Sequence, residues 1–398
     1  MYAGGGALID RLGTRIGFCV IMIAWSLACA SHAFATGFRS LSVSRFMLGV
    51  GEGGGFPAAT KALAEWFPIR ERSTAMGLVN AGTALGTVIA APAIALILSV
   101  ANWRWVFIFC GAAGLAWAIW WMREYQPAAK DERLSAAERA EIREVLFTPA
   151  RPGEGTQTEE SERRAGPIDT SPTLETPRWL TLLARRQVWG LVAAKFLSDA
   201  AWYFYLFWLP KYLYDVRGFD VKRVGYYGWI PYAAAGVGCL LGGWLSSRLL
   251  QSGWSLNAAR KTALGASAAV MPLIMFVTRV PTELAIVLFS IAFFGQQSWS
   301  TLVMIVPADI FSRRVVASVA GLVGFGGAMG GVVFNLVAGR ILDSGLGYGV
   351  VFGIVGTFHV IAFLVILAAI PSITPLETAV VPQQQPDHKR SEGQEFSV

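Results

Sequence analysis

Arg45 and Glu52 are ionisable residues within the apolar stretch Leu41 to Trp66. An ionisable side chain in the middle of a membrane costs about 3 kcal/mol, so a compensating role is expected. The seven-residue spacing is nearly two helical turns and places both side chains on one face, about 10 Å apart. Arginine binds carboxylates through charge-assisted hydrogen bonds, and a buried glutamate exchanges protons. We predict that Arg45 binds an anion and Glu52 carries a proton. A structural ion pair with another helix is the alternative.

Two further groups of residues in apolar stretches suit a sugar. Aromatic faces pack against sugar rings, and uncharged polar groups bond sugar hydroxyls. An interfacial aromatic belt and hydrogen bonds between helices are the respective alternatives. The aromatic candidates are Trp202, Tyr203 and Tyr205, and the candidates of the polar cluster are Gln296, Gln297 and Trp299.

Lys195 and Asp199 are spaced i,i+4 and are predicted to pair near a membrane face, with a gating role as the alternative. The run Gly324 to Gly330 superficially matches a dinucleotide fingerprint, but it lies in an apolar stretch without a preceding strand. We interpret it as a site of close helix packing. The sequence contains no phosphate loop, catalytic triad or metal-ligand cluster. We therefore expect no enzyme activity, no cofactor and no metal.

Composition defines the elements that must position these residues. Of the 398 residues, 54% are hydrophobic and 15% charged, and the mean hydropathy is +0.50, which exceeds what a soluble core needs. A membrane helix takes roughly 20 apolar residues, and runs of that length without strict alternation exclude a barrel. The predicted fold class is an all-α polytopic membrane protein with about ten complete transmembrane helices and a partial one.

The spans are divided by a charged segment that contains proline, serine and threonine. The predicted organisation is an N-terminal bundle over residues 1–122, a cytoplasmic linker over 123–187, a C-terminal six-helix bundle over 188–371 and a disordered cytoplasmic tail over 372–398. The net charge of +7 comes from basic residues scattered over loops, which indicates cytoplasmic loop bias and no nucleic-acid partner. Four spans before the linker and six after it predict that the first helix and most of the second are missing from two six-helix halves.

Ten spans are predicted. The four before the linker are Ile16–Thr36, Leu41–Trp66, Ala75–Val100 and Trp105–Met122. The six after it are Val188–Tyr214, Gly225–Leu250, Lys261–Thr278, Leu284–Pro307, Val315–Arg340 and Val350–Ile370.

A short internal repeat supports the division into halves. The sequence from Gly6 to Arg11 is echoed by Gly243 to Arg248, with Ser247 in place of Asp10. Both segments lie where the second helix of a half would reach the cytoplasm.

Several motifs resemble those of a known family. The segment Gly6 to Arg15 resembles the signature loop after the second helix of major facilitator carriers. The segment Arg45 to Glu52, followed by Phe56-Pro57 and by Trp66 to Arg72, is similar to the anion:cation symporter family. Within that family, the chain resembles the hexuronate transporters at Glu65 to Pro68, at Trp103 to Phe107 and at Lys195 to Lys211.

The resemblance implies a major facilitator fold of two bundles and uptake of a sugar acid with protons by alternating access. It implies that Arg45 holds the substrate and Glu52 couples protons, with Asn80 and Thr83 on the fifth helix as further substrate contacts. Relatives that carry aldonates have glutamine where Thr83 stands, which favours another sugar acid. The implied conformational motif comprises Gly6, Asp10, Arg11, Gly13 and Arg15.

The expected partners are a small organic anion, protons and the lipid bilayer of a bacterial inner membrane, and the expected state is a monomer. Two alternatives stay open. One is a truncated, non-transporting membrane protein that binds or senses a ligand. The other is a carrier of a different carboxylate, such as an aldonate, an aromatic acid or a dicarboxylic acid.

Overall fold

A computed structural model of the chain describes residues 1–128, 131, 133–135, 137–138, 179–220, 223 and 226–374. These residues form helices and connecting turns and contain no strand. Most of the predicted linker, and the predicted tail beyond Thr374, lie outside the described residues.

The first half has six helices in its described residues. They are α1 (Tyr2–Leu12), α2 (Thr14–Ser31), α3 (Phe38–Glu52), α4 (Gly55–Trp66), α5 (Arg72–Val100) and α6 (Trp103–Glu124). A 3-10 turn, His32–Phe34, extends α2. Asn102 caps α6, since its side chain accepts a hydrogen bond from the Arg104 backbone N–H.

The second half begins with a short helix and continues with long ones. They are α7 (Trp179–Leu183), α8 (Arg186–Asp215), α9 (Trp229–Gln251), α10 (Leu256–Ala269), α11 (Thr282–Ile310), α12 (Val316–Asp343) and α13 (Gly347–Ala369). A 3-10 segment, Met271–Arg279, continues α10 across the membrane.

Eight spans in the described part of the chain are long and apolar enough to cross a membrane. Two other predicted spans are helical but are not among these eight, one because of its length and one because of its charge. The stretch Leu41 to Trp66 is divided into α3 and α4, neither of which is long enough alone. The stretch Val188 to Tyr214 lies within the 30-residue α8, which carries several charged side chains.

The division between α3 and α4 falls in a run of glycines. Gly51, Gly53 and Gly54 are buried because other helices cross there: a Cβ on Gly51 would lie 2.8 Å from the Trp25 backbone of α2, and one on Gly53 would lie 2.9 Å from the Tyr2 nitrogen of α1. The glycines therefore let α1 and α2 approach the middle of this span, as the sequence predicts.

The main hydrophobic cores lie in the second half. One buried cluster is rich in aromatic residues of α8, α11 and α13, among them Phe204, Phe289 and Phe352, and a second is mostly aliphatic. Contacts between the halves run chiefly through α1 with α12 and α5 with α9. The far end of α5 is exposed, so the halves meet at the end of the bundle where the linker attaches. We call this end the linker side.

Candidate functional site

Helix α3 carries Arg45 and Glu52 at the middle of the divided span. Both residues are exposed, and neither forms a hydrogen bond or ion pair within 4 Å to another described residue. The charge of Arg45 nevertheless acts on Glu52 and on Cys29 of α2. The two side chains are therefore neighbours without being bonded to each other, and their polar atoms are free to meet a solute.

Glu52 lies at the boundary between the halves. The negative charges of Glu52 and of Asp199 on α8 both act on the hydroxyls of Tyr2 and Tyr203. Four polar groups from α1, α3 and α8 are thus gathered in one region. We call this region around Tyr2, Glu52, Asp199 and Tyr203 the central gap.

Glycines of α12 make room for this cluster. A Cβ on Gly324 would lie 2.7 Å from the ring of Tyr2, and one on Gly327 would collide with the Asp199 carboxylate. Gly326 and Gly330 similarly contact backbone oxygens of α8, at Val192 and Phe196. The run therefore has the packing role that the sequence indicates, and it also accommodates polar side chains.

Lys195 and Asp199 form the predicted i,i+4 ion pair, with 2.8 Å between Nζ and Oδ1. The Lys195 ammonium also donates to the Ser300 hydroxyl of α11 at 2.9 Å. Asp199 is the 14th residue of a 30-residue helix, which places it about 20 Å from the helix start. The pair therefore lies near the middle of the span, whereas the sequence predicts a position near a membrane face.

The three aromatic candidates on α8 have different surroundings. Trp202 is partly buried and packs edge-to-face on Phe293, and Tyr203 is partly buried and stacks on Phe207 at the central gap. Tyr205 is completely buried in the aromatic core. In this conformation Tyr203 is the candidate placed to meet a solute.

The polar cluster of α11 is mostly buried. Gln296 and Trp299 are buried, and the Gln296 Oε1 and the Trp299 Nε1 have no hydrogen-bond partner among the described residues. Gln297 is partly buried, with its Oε1 3.9 Å from the Cys239 sulfur of α9.

Asn80 and Thr83 lie on α5. The Asn80 amide donates to the Thr301 hydroxyl of α11 at 3.0 Å, so it joins the two halves. The Thr83 hydroxyl donates to the backbone oxygen of Asn80 at 2.6 Å. Thr83 is exposed and keeps acceptor capacity for a solute.

The predicted conformational motif lies on the linker side. Asp10 accepts hydrogen bonds from Lys61 of α4 at 2.8 Å and from the Ser318 backbone and hydroxyl of α12 at 2.7 and 2.6 Å. Gly6 packs directly against the Ala317 backbone oxygen. These five residues join α1 and α4 to the start of α12, and we call them the Asp10 clamp.

The other motif residues stay within the first half or at its surface. Arg15 donates to the Met122 backbone oxygen at 2.6 Å, and Arg11 is exposed. Gly13 has a φ of 77°, a left-handed conformation that favours glycine and permits the tight turn between α1 and α2.

A second clamp joins α5 to the second half. Arg260 of α10 donates to Asp309 of α11 at 2.7 Å and to the Ser73 hydroxyl of α5 at 2.8 Å. The Arg72 guanidinium lies 3.7 Å from the other Asp309 oxygen. Arg260 and Asp309 are completely buried. Gly243 of α9 packs against the Ser73 backbone oxygen, and we call these residues the Asp309 clamp.

Sequence reasoning missed the Asp309 clamp. Its charged members stand at or just beyond the ends of apolar stretches, where they add only to the loop charge bias. The nearest signal was the repeat at Gly243, which identifies one side of the contact and no acidic residue.

Comparisons with known proteins agree with this arrangement of membrane-spanning helices in two halves. A model of the family described as Major Facilitator Superfamily matches residues 3–304, which is more than half of the chain. The chain therefore belongs to the major facilitator superfamily.

Individual relatives show which transporters of this superfamily the chain is similar to. The chain is 30% identical over 378 residues to the hexuronate transporter of Escherichia coli strain K12, covering 94% of this chain and 82% of that protein. It is 29% identical over 346 residues to the D-galactonate transporter of Escherichia coli O6:H1, covering 87% and 77%. These relatives are named as transporters of sugar acids and not as enzymes.

The structure resembles that of the proton:xylose symporter XylE bound to 6-bromo-6-deoxy-D-glucose, with a TM-score of 0.69 and 16% identity over 94% of this chain and 84% of that one. This likeness shows the fold. The chain is an all-α, multi-pass membrane protein with the architecture of a major facilitator transporter.

Proposed function

We propose that this protein imports a sugar acid of the hexuronate type together with protons, as a monomer in a bacterial inner membrane. The observation that supports this most is the position of Arg45 and Glu52. Both are exposed in the middle of a membrane span and unbonded to other described residues, and Glu52 lies at the central gap between the halves. Two charged groups without a hydrogen bond or close ion pair at that depth call for a charged ligand.

Arg45 binds the cargo carboxylate through charge-assisted hydrogen bonds, and Glu52 takes up a proton. The bound anion offsets the arginine charge, and the proton removes the glutamate charge. The loaded gap is then close to neutral and can be enclosed in a low-dielectric environment at smaller cost. Closure on one side and opening on the other follow, because the loaded carrier favours a different packing of its two halves.

Uptake of radiolabelled glucuronate or galacturonate tests the role of Arg45. Removing a charge-assisted hydrogen bond costs about 1.5 to 3 kcal/mol, so Arg45→Ala should lower uptake about 10- to 100-fold. Arg39→Ala is a matched control, since Arg39 is an exposed arginine of the same helix near its far end. Equal uptake by the wild type and Arg45→Ala would contradict the assignment.

Glu52→Gln tests the coupling role separately. The amide holds no exchangeable charge, so accumulation against a gradient should be lost while exchange of internal for external cargo continues. Glu71→Gln, an exposed glutamate at the start of α5, should leave both processes intact. Proton-driven accumulation by Glu52→Gln at the wild-type level would refute the coupling role.

Competition defines the cargo. Unlabelled hexuronates should inhibit uptake most strongly, and aldonates, aromatic acids and dicarboxylic acids less. A stronger effect of D-galactonate would assign the aldonate alternative. Tight binding without uptake, by the chain and by a version extended upstream, would instead favour the non-transporting alternative.

A further inference from the structure

The ion pair on α8 is a second charged site that faces the same gap as Glu52. Lys195 and Asp199 have side-chain exposures of 7% and 13%, so the pair is buried but its carboxylate still reaches the gap. A buried lysine is tolerated because a carboxylate neutralises it, and removing either partner alone leaves an uncompensated charge. Each half of the molecule therefore contributes one cation and one carboxylate to the central region.

The hydrogen bonding of the pair is incomplete. An ammonium group has three donors, and Lys195 uses one on Asp199 and one on the Ser300 hydroxyl. The third donor has no partner in the described part of the chain. The Asp199 Oδ1 accepts the lysine bond, and its Oδ2 lies against α12 at Gly327, where any side chain would collide with it. Both charged groups thus retain capacity for another ligand.

We propose that Lys195 and Asp199 form a partner-exchange site: Asp199 takes up a proton while Lys195 transfers its hydrogen bond from Asp199 to a cargo carboxylate or hydroxyl. This inference rests on the proposed function and adds a residue pair that binds cargo and protons in the second half. A single cargo carboxylate offsets only one of the two cations. The charges of Arg45, Lys195, Glu52 and Asp199 sum to zero at rest, and an anionic cargo with both carboxylates protonated brings the sum to +1.

The surroundings of the pair favour this exchange. The charges of Asp199 and Glu52 both act on the hydroxyls of Tyr2 of α1 and Tyr203 of α8, and the charge of Lys195 acts on His359 of α13. The nearby residues of α12 are glycines, whereas its charged residues, Arg340 and Asp343, stand at its far end. An anionic cargo bound to Lys195 opposes a negative charge on the adjacent Asp199, so protonation of Asp199 and arrival of the cargo are mutually favourable.

Three variants separate an exchange site from a structural ion pair. They are Asp199→Asn, Lys195→Met and the double variant Lys195→Met/Asp199→Leu. The measurements are equilibrium binding of radiolabelled glucuronate and the protons taken up on binding, recorded with a pH-sensitive dye. Size-exclusion chromatography in detergent reports whether each variant is folded.

In an exchange site, Asp199→Asn binds cargo but takes up fewer protons than the wild type and loses proton-driven accumulation. Lys195→Met should bind about 10- to 100-fold more weakly, as expected for loss of a charge-assisted hydrogen bond. The double variant contains no unpaired charge, so it should fold but bind as weakly as Lys195→Met.

A matched control exists on the same helix. Lys211 and Asp215 have the same i,i+4 spacing and form an exposed ion pair with 2.6 Å between Nζ and Oδ2. Lys211→Met and Asp215→Asn should leave binding and proton uptake unchanged.

A double variant with wild-type binding and accumulation would overturn the exchange and leave the pair structural. Undiminished proton uptake by Asp199→Asn would also overturn it. These results differ from failure of the proposed function, in which the wild type itself binds no sugar acid and both proposals fall.

Discussion

The Asp10 clamp and the Asp309 clamp close the same side of the molecule at two corresponding places. In each, a glycine of one half packs against a backbone oxygen of the other: Gly6 against Ala317, and Gly243 against Ser73. Four residues later, Asp10 accepts from the Ser318 backbone, and Ser247 accepts from the Thr74 backbone at 3.3 Å. The internal repeat is therefore a repeat of tertiary contact as well as of sequence.

The two clamps differ in where the charge lies. In the first, the acid is in the repeat itself and one lysine neutralises it. In the second, the repeat has Ser247, and the acid is Asp309 of another helix, with arginines from both halves around it. The backbone contact thus sets the geometry of closure, while the charged residues that lock it can occupy different helices.

The single acidic residue of α4, Glu65, differs in the same way from its counterpart in the second half. Glu65 accepts hydrogen bonds from Thr14 at 2.6 Å and Tyr125 at 2.5 Å, both within the first half. Its charge also acts on Arg313 in the loop before α12, although burial lowers the pKa of Arg313 to about 10. Asp309, at the corresponding end of α11, forms an ion pair across the halves with Arg72 at 3.7 Å. The Asp309 clamp therefore places three buried charged groups at the contact between the halves, and the Asp10 clamp places two.

Among substitutions in the two clamps, Asp309→Asn should lower the stability of the protein most. The substitution leaves two arginines close together in a buried site without a counter-charge, which costs about 3 to 5 kcal/mol. We expect a lower midpoint of thermal unfolding in detergent. Asp343→Asn, an exposed site on α12, is the control and should leave the midpoint unchanged. Equal midpoints for both would show that the neutral partners of Arg260 suffice.

Asp10→Asn should have a smaller effect. The asparagine still accepts hydrogen bonds from Ser318, and the flexible Lys61 side chain can turn toward water at the membrane surface, so the expected cost is about 2 to 3 kcal/mol. The same unfolding experiment measures it. A loss greater than that of Asp309→Asn would reverse the ranking of the two clamps.

Gly6→Ala and Gly243→Ala should lower the stability least, and by similar amounts. Each added Cβ collides with a backbone oxygen of the other half, and overpacking costs about 1 to 3 kcal/mol. Both should shift the molecule toward opening on the linker side. Alkylation of Cys239, which is buried at the α5–α9 contact, reports opening once the other three cysteines are replaced.

Gly4→Ala is the control for this pair, since a Cβ there meets nothing within 4 Å. Faster alkylation for one glycine variant but not the other would show that the two contacts are not equivalent.

Much of this architecture follows from the sequence by itself. Apolar length predicts helical spans because backbone groups in lipid must bond internally. The glycine run in the span Leu41–Trp66 predicts close helix approach. Arg45 and Glu52 can be identified as site candidates because a charge at that depth is costly. The repeat at Gly6 and Gly243 predicts two related halves.

Only the tertiary structure decided which members of a pattern meet. Tyr203 and Tyr205 are two residues apart and so point to nearly opposite faces of α8, but packing alone assigns one to the central gap and the other to the aromatic core. Arg72, Arg260 and Asp309 come from distant parts of the chain, and no local spacing connects them. Hydropathy and helical period act over one segment, whereas charge pairing between segments depends on how whole helices cross.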